Sequence, residues 1–198
     1  MWDIRDLGYA LFWEACEFCS LSRQYRLIFS KLALMKIKVG FGFDVHQIKE
    51  GHPFIVGGVD LEHHAGAFGH SDADVLVHAI CDAILGAANM EDIGYHFPNT
   101  DMRWKGVSSL LLLEECIRLI TDKGFLLGNI DGMLCLEAPK IKPYIPLMKE
   151  KIAKAAGIDV DDISIKATTN ETMGFIGREE GVVAYAVCLL EKKSLEKL

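Results

Sequence analysis

The chain contains no apolar run near the roughly 18 residues that a membrane-spanning helix requires. It has no surplus of positive charge either. Its 28 Asp and Glu outnumber 21 Lys and Arg, for a net charge of −7. That balance argues against a nucleic-acid-binding surface, which needs a basic stripe, and leaves any anionic ligand to be held by local devices. Cysteine offers no disulfide framework. Cys16 and Cys19 form a lone Cys-x-x-Cys, with neither a second pair for zinc nor the strand–helix–strand setting of a redox motif. Cys81, Cys116, Cys135 and Cys188 fall on apolar positions of expected helices or strands, where Cys acts as a small hydrophobe. Such usage suits a reducing, cytoplasmic compartment.

Residues 1–34 lack a charged start followed by a clean apolar core, and their four acidic residues suit no organelle transit peptide. Met35 stands just before the first expected strand as an alternative start. We expect 1–34 to be a dispensable extension: a frayed helix, a partner-binding arm or an upstream segment with no role. A single domain is expected over 35–192, with a short tail at 193–198.

What is present is a globular composition, 51% hydrophobic and 25% charged over 198 residues, enough to bury a core without staples. Strands are expected at Ile37–Val45, Pro53–Asp60, Asn129–Glu137, Asp162–Ala167 and Val182–Leu190. Helices are expected from Ser71 to near Ala88, from Ser108 to Asp122, and from Lys142 to Ala156 with Pro143 in its first turn. Gly124 and Gly157 read as helix ends. Strands and helices alternate, so the expectation is an α/β (two-layer α+β) domain, a mixed sheet with helices on one face.

The chemistry concentrates between Gly40 and Asp82. In Gly42-Phe43-Asp44-Val45-His46 the period of two puts Asp44 and His46 on one face of a strand. The helix that follows carries an apolar stripe through Val75, Leu76, Ala79, Ile80, Ala83, Ile84 and Ala87, with Asp74, His78 and Asp82 opposite. Ser71 is the expected N-cap, with Asp74 three residues on. Two imidazoles and one carboxylate suit a zinc ion with its fourth position open. Taken singly, each residue reads first as structural, a surface carboxylate or a histidine held by a backbone carbonyl, and spacing alone does not bring strand and helix together. His52, His63, His64 and His96 read as structural.

The loop from Lys166 to Gly181 combines Thr168, Thr169, Glu171, three glycines and Arg178. Its hydroxyls and N–H groups can donate to phosphate oxygens, and Glu171 can hold a hard divalent ion. The same composition suits an ordinary hairpin loop.

Together the segments Gly42–His46, His70-Ser71-Asp72-Ala73-Asp74, Asp92-Ile93-Gly94 and Phe97-Pro98-x-Thr100-Asp101 resemble one family. Ala138-Pro139-Lys140, Ala167-Thr168-Thr169-x-Glu171 and Gly174-Phe175-x-Gly177-Arg178 extend the likeness over roughly 37–191. The family is 2-C-methyl-D-erythritol 2,4-cyclodiphosphate synthase, of the non-mevalonate isoprenoid pathway. The resemblance implies a lyase-type cyclisation of 4-diphosphocytidyl-2-C-methyl-D-erythritol 2-phosphate with release of CMP, in a homotrimer whose sites lie between subunits.

By the same resemblance Asp44, His46 and His78 would ligate zinc, and Glu171 would hold Mg²⁺ or Mn²⁺. His70, Ser71, Thr169 and Glu171 would be the catalytic set, with a helix N-terminus at Ser71 adding its dipole toward the 2-phosphate. Asp92 and Gly94 would bind the erythritol hydroxyls, and Ile93, Phe97 and Asp101 would be further substrate contacts. The cytidine would rest among Ala138, Pro139, Lys140 and the Ala167-Thr168-Thr169 backbone of a neighbouring subunit, with Asn170 a further substrate contact. Asp82 would orient a metal ligand. Phe175 and Arg178 resemble residues lining a central cavity able to take an isoprenoid diphosphate. The run Gly132–Leu136 and Asn99 depart from the family pattern. A zinc hydrolase acting on a nucleotide, or a non-catalytic metal-binding trimer, are the alternatives that an assay would separate.

Overall fold

The computed structural model describes residues 36–192. The expected extension at 1–34, Met35, the Cys16–Cys19 pair and the tail at 193–198 lie outside the described residues.

The first strand, β1, runs Ile37–Glu50. Short strands β2 (Ile55–Val56), β3 (Val59–Asp60) and β4 (Ala65–Phe68) follow, then helix α1 (Val75–Ala88). A one-turn helix α2 (Ile93–His96) and helix α3 (Ser109–Asp122) precede β5 (Phe125–Cys135). Helix α4 (Ile145–Ala156), β6 (Ile163–Thr168), the one-turn α5 (Gly174–Gly177) and β7 (Gly181–Lys192) complete the described chain. Five strands form one sheet in the order β4-β1-β7-β5-β6. The β5–β6 pair is parallel and the other pairs are antiparallel, so the expected mixed sheet is present.

Strand β1 has two unlike faces. Its odd residues Ile37, Val39, Phe41, Phe43 and Val45 are exposed, while Gly40 and Gly42 are buried on the other side. The inward glycines lie directly under α1: a Cβ on Gly40 would sit 1.8 Å from the Ala83 carbonyl oxygen. One helical turn rises about 5.4 Å and two strand residues about 6.6 Å, so the two backbones stay nearly in step. Leu76, Ile80 and Ile84 of α1 are fully buried, each stabilising the fold by roughly 1.5–3 kcal/mol. The helix is therefore the centre of the core rather than an amphipathic cover.

Several expectations are corrected. Helix α1 begins at Val75, and its N-cap is Asp74, not Ser71. The Asp74 carboxylate is better placed for the role, because it also accepts from Gly57 and Gly58 at the tip of the β2–β3 hairpin. The expected strand Pro53–Asp60 is that hairpin, folded back where both glycines have positive φ, 58° and 72°. Pro143 precedes α4, whose first turn holds Pro146 instead. Strand β4, Ala65-Gly66-Ala67-Phe68, is an addition to the expected strands. Gly157 caps α4 in the left-handed conformation, as expected.

Candidate active site

The residues that follow Gly40 and Gly42 on the inner face of β1 are Asp44 and His46. One turn into α1, His78 meets them. Asp44 Oδ2 lies 3.0 Å from His46 Nε2 and 3.1 Å from His78 Nδ1, and the two ring nitrogens are 3.1 Å apart. These atoms form a nearly equilateral triangle, and they are the one metal-binding cluster found among the described residues. Zinc bonds of about 2.0–2.1 Å in tetrahedral geometry put neighbouring ligand atoms about 3.4 Å apart. A few tenths of an ångström of opening would seat an ion, so the donor set fits one.

Charge favours the same arrangement. Burial works against an ionised Asp44, but hydrogen bonds from His46 and His78, reinforced by their charge, hold it down to about 2. Burial likewise disfavours a charged His78; the hydrogen bond to Asp44 and the charges of Asp44, Asp74 and Asp72 outweigh it and raise its pKa.

A cavity of about 380 Å³ opens beside this cluster, lined also by His70, Ser71, Ile93, Gly94 and Phe97. The Nε2 of His70 is buried with no hydrogen-bond partner, as a group awaiting a ligand would be. Two other expected residues turn their carboxylates elsewhere. Asp92 caps α2 through the Tyr95 N–H, at 2.8 Å. Asp101 pairs with Arg103 through two of the guanidinium nitrogens. Asp82 does not orient a metal ligand: it accepts the Ile93 N–H at 2.8 Å and so fixes the cavity wall. With α1 starting at Val75, the expected helix N-terminus at Ser71 is absent as well. Ser71 Oγ instead faces His78 Nε2, at 3.0 Å. Of the histidines expected to be structural, His96 Nε2 meets the Met90 carbonyl at 2.8 Å and His63 Nδ1 the Ala65 carbonyl at 2.8 Å.

A second cavity, about 500 Å³, is lined by Pro139, Lys140, Ala167, Thr168 and Thr169 among others, with Ala138 beside them in sequence. Past its edge, Thr169 Oγ1 donates to Glu171 at 2.7 Å. Glu171 and Thr172 both have positive φ, 51° and 64°. Glu137 holds this turn by accepting the N–H groups of Asn170 at 2.7 Å and Thr172 at 3.3 Å. Phe175 is exposed, and Arg178 forms a two-pronged pair with Glu180, both contacts at 2.9 Å. The two cavities share no lining residue, so one chain does not gather all the expected site residues into one place.

Sequence reasoning missed Ser109, Asp72, Glu137 and Trp104. The first three act through contacts more than 30 residues apart in sequence. Trp104 lines the first cavity with its indole N–H unpartnered.

The model of the YgbB family matches residues 37–191. The 2-C-methyl-D-erythritol 2,4-cyclodiphosphate synthase of Cytophaga hutchinsonii is 64% identical over 158 residues, covering 80% of this chain and 99% of that protein. The structure of IspF from Plasmodium falciparum in complex with CDP aligns with a TM-score of 0.70 at 33% identity, covering 80% of this chain and 97% of that one. The bifunctional IspDF from Campylobacter jejuni aligns with a TM-score of 0.77 at 40% identity, over 80% of this chain but 43% of that longer one. The family match, the identity and the coverage agree, and the chain belongs to the YgbB family, the family of the 2-C-methyl-D-erythritol 2,4-cyclodiphosphate synthases.

Proposed function

We propose that this protein converts 4-diphosphocytidyl-2-C-methyl-D-erythritol 2-phosphate into 2-C-methyl-D-erythritol 2,4-cyclodiphosphate and CMP. An oxygen of the 2-phosphate attacks the β-phosphorus of the same molecule. The bond from that phosphorus to the bridging oxygen breaks, and the electron pair leaves with CMP. The attacking phosphate is already ionised, so no general base is required. The obstacle is repulsion: two unit charges at 4 Å cost about 1 kcal/mol in water and about 4 kcal/mol near a protein surface. Catalysis then consists of holding two anions in line while offsetting their charge.

The observation that carries this reading is the Asp44–His46–His78 triangle at the wall of the first cavity. Zinc, when bound there, supplies positive charge toward phosphoryl oxygens. His70 and Ser71 would receive the 2-phosphate, while Ile93, Gly94 and Phe97 enclose the erythritol carbons and Asp92 and Asp101 complete that end. Pro139, Lys140, Ala138 and the Ala167–Thr168–Thr169–Asn170 backbone would take the cytidine diphosphate, with Thr169 donating to its phosphates. Glu171 would hold Mg²⁺ or Mn²⁺.

Two features support a homotrimer with sites between subunits. Site residues are divided between two cavities of one chain. The sheet face away from the helices also exposes Val39, Phe41, Phe43, Tyr185 and Val187, with Phe43 and Tyr185 ring centroids 5.3 Å apart. Stable monomers rarely leave so continuous an apolar patch uncovered. In such an assembly the second cavity of one subunit would complete the first cavity of its neighbour. Phe175 and Arg178 would face the shared axis, where an isoprenoid diphosphate would fit. No helix among the described residues is long and apolar enough to cross a membrane. The four described cysteines are unpaired, which suits a cytoplasmic enzyme.

The test is to incubate the purified protein with this substrate, zinc and Mg²⁺ and to follow phosphorus resonances. Equimolar CMP and a cyclic diphosphate are expected. An open phosphate product would identify a hydrolase instead, and intact substrate a binding protein.

A further inference from the structure

We infer that Ser109, held by Asp72, is a positioning residue: it fixes the His78 ring so that Nδ1 is given to the metal and leaves the Ser71 hydroxyl free for the substrate. The inference rests on the reading of Asp44, His46 and His78 as a zinc site.

Ser109 opens α3 and is fully buried. Its N–H donates to Asp72 Oδ2 at 2.8 Å, and its hydroxyl donates to Asp72 Oδ1. The single hydroxyl proton is thereby committed. What Ser109 Oγ turns toward His78 Nε2, 2.8 Å away, is a lone pair, so Nε2 must be the donor. A neutral imidazole with its proton on Nε2 carries its free lone pair on Nδ1, and Nδ1 is the atom in the ligand triangle. The series carboxylate, hydroxyl, imidazole, metal is the familiar carboxylate–histidine–metal arrangement with one hydroxyl inserted. A charged acceptor behind the hydroxyl also strengthens its acceptor side.

Asp72 is itself braced. Its N–H reaches the Val107 carbonyl at 3.3 Å, and Oδ1 accepts the Asp74 N–H at 3.2 Å. The carboxylate thus joins the loop before α1 to the start of α3 and presses the hydroxyl against the ring. Ser71 Oγ lies slightly farther from the same nitrogen, at 3.0 Å, and lines the cavity. One ring nitrogen carries one proton. With Ser109 receiving it, the Ser71 O–H is left to point at an anion.

The experiment measures zinc affinity by chelator competition on the full chain, together with the exchange rate of the His78 Nε2 proton in the zinc-loaded protein by nitrogen-edited NMR. The parent should show a slowly exchanging Nε2 proton. Ser109→Ala should bind zinc about 10- to 100-fold more weakly and lose that proton to fast exchange, while Ser109→Thr, which keeps the hydroxyl, should retain both. Unchanged affinity in Ser109→Ala, equal losses in the Ala and Thr variants, or fast exchange in the zinc-loaded parent itself would each overturn the assignment. A parent that binds no zinc would overturn the metal-site reading and this inference with it. A parent that binds zinc tightly while Ser109→Ala binds it equally would overturn this inference alone.

Discussion

A Cβ placed on Gly42 would stand 1.9 Å from the carbonyl oxygen of Ala79, so β1 and α1 touch backbone to backbone two residues from Asp44 on the strand and one residue from His78 on the helix. Ala79 follows His78 in the helix, and Asp44 is the next inward residue of the strand. The absence of a side chain at Gly42 therefore sets the distance across which Asp44 meets His78.

Gly42→Ala should force the helix away from the strand. Such overpacking costs about 1–3 kcal/mol, and the displaced His78 should weaken zinc binding as well. Urea unfolding with zinc titration tests both; a variant as stable and as zinc-avid as the parent would show that the close approach is not required.

Asp74 gives a pH dependence with a definite sign. Burial raises its pKa to about 6, against the opposing N–H groups of Gly58, Val77 and Gly57. A carboxyl raised above its unfolded value of 3.8 contributes its full stability below that value and loses it as pH rises through about 6. The parent should lose stability relative to Asp74→Asn between about pH 4 and pH 7. Denaturant midpoints of the two proteins across that range check it, and parallel profiles would count against it.

Zinc and protons compete at the triangle. In the metal-free protein His78 has a raised pKa, with burial opposing and Asp44 outweighing it. The His78–Asp44 pairing is therefore complete below the ordinary histidine value of 6.5, and fades as pH climbs through the raised one. Zinc must displace that proton. The thermal stabilisation by a fixed zinc concentration should grow as pH rises from about 6 to about 8. A stabilisation independent of pH would contradict the assigned ligands.

Glu137 holds the turn that carries Glu171. Glu137→Ala removes the acceptor shared by Asn170 and Thr172, and their amides should lose hydrogen-exchange protection. Each lost bond to a charged acceptor is worth about 1.5–3 kcal/mol, so exchange should quicken by roughly one to two orders of magnitude. The Mg²⁺ requirement should rise while zinc content stays constant. Unchanged exchange at both amides would remove Glu137 from the account.

Short-range pattern made much of this legible in the sequence. Alternation along β1 puts Asp44 and His46 on one face, and the four-residue spacing of α1 puts His78 on one helix face with Asp74 and Asp82, while the meeting of strand and helix is visible only in the fold. The left-handed cap at Gly157 was equally visible. What escaped depends on contacts distant in sequence. Asp74 displaced Ser71 as N-cap because its carboxylate also serves the hairpin at Gly57 and Gly58, which no local rule reveals. Strand β4 is too short, and too rich in small residues, to stand out. Ser109 lies inside the helix expected from Ser108 and has no local mark of its own, since its partner Asp72 lies 37 residues earlier. Only the folded chain separates the Asp44 cavity from the Pro139 cavity.

Ring closure, on this reading, depends on a metal held by Asp44, His46 and His78. His78→Ala, assayed side by side for bound zinc and CMP release, tests it most directly. Both should disappear together while the fold persists. A variant that retains both zinc and turnover would contradict it.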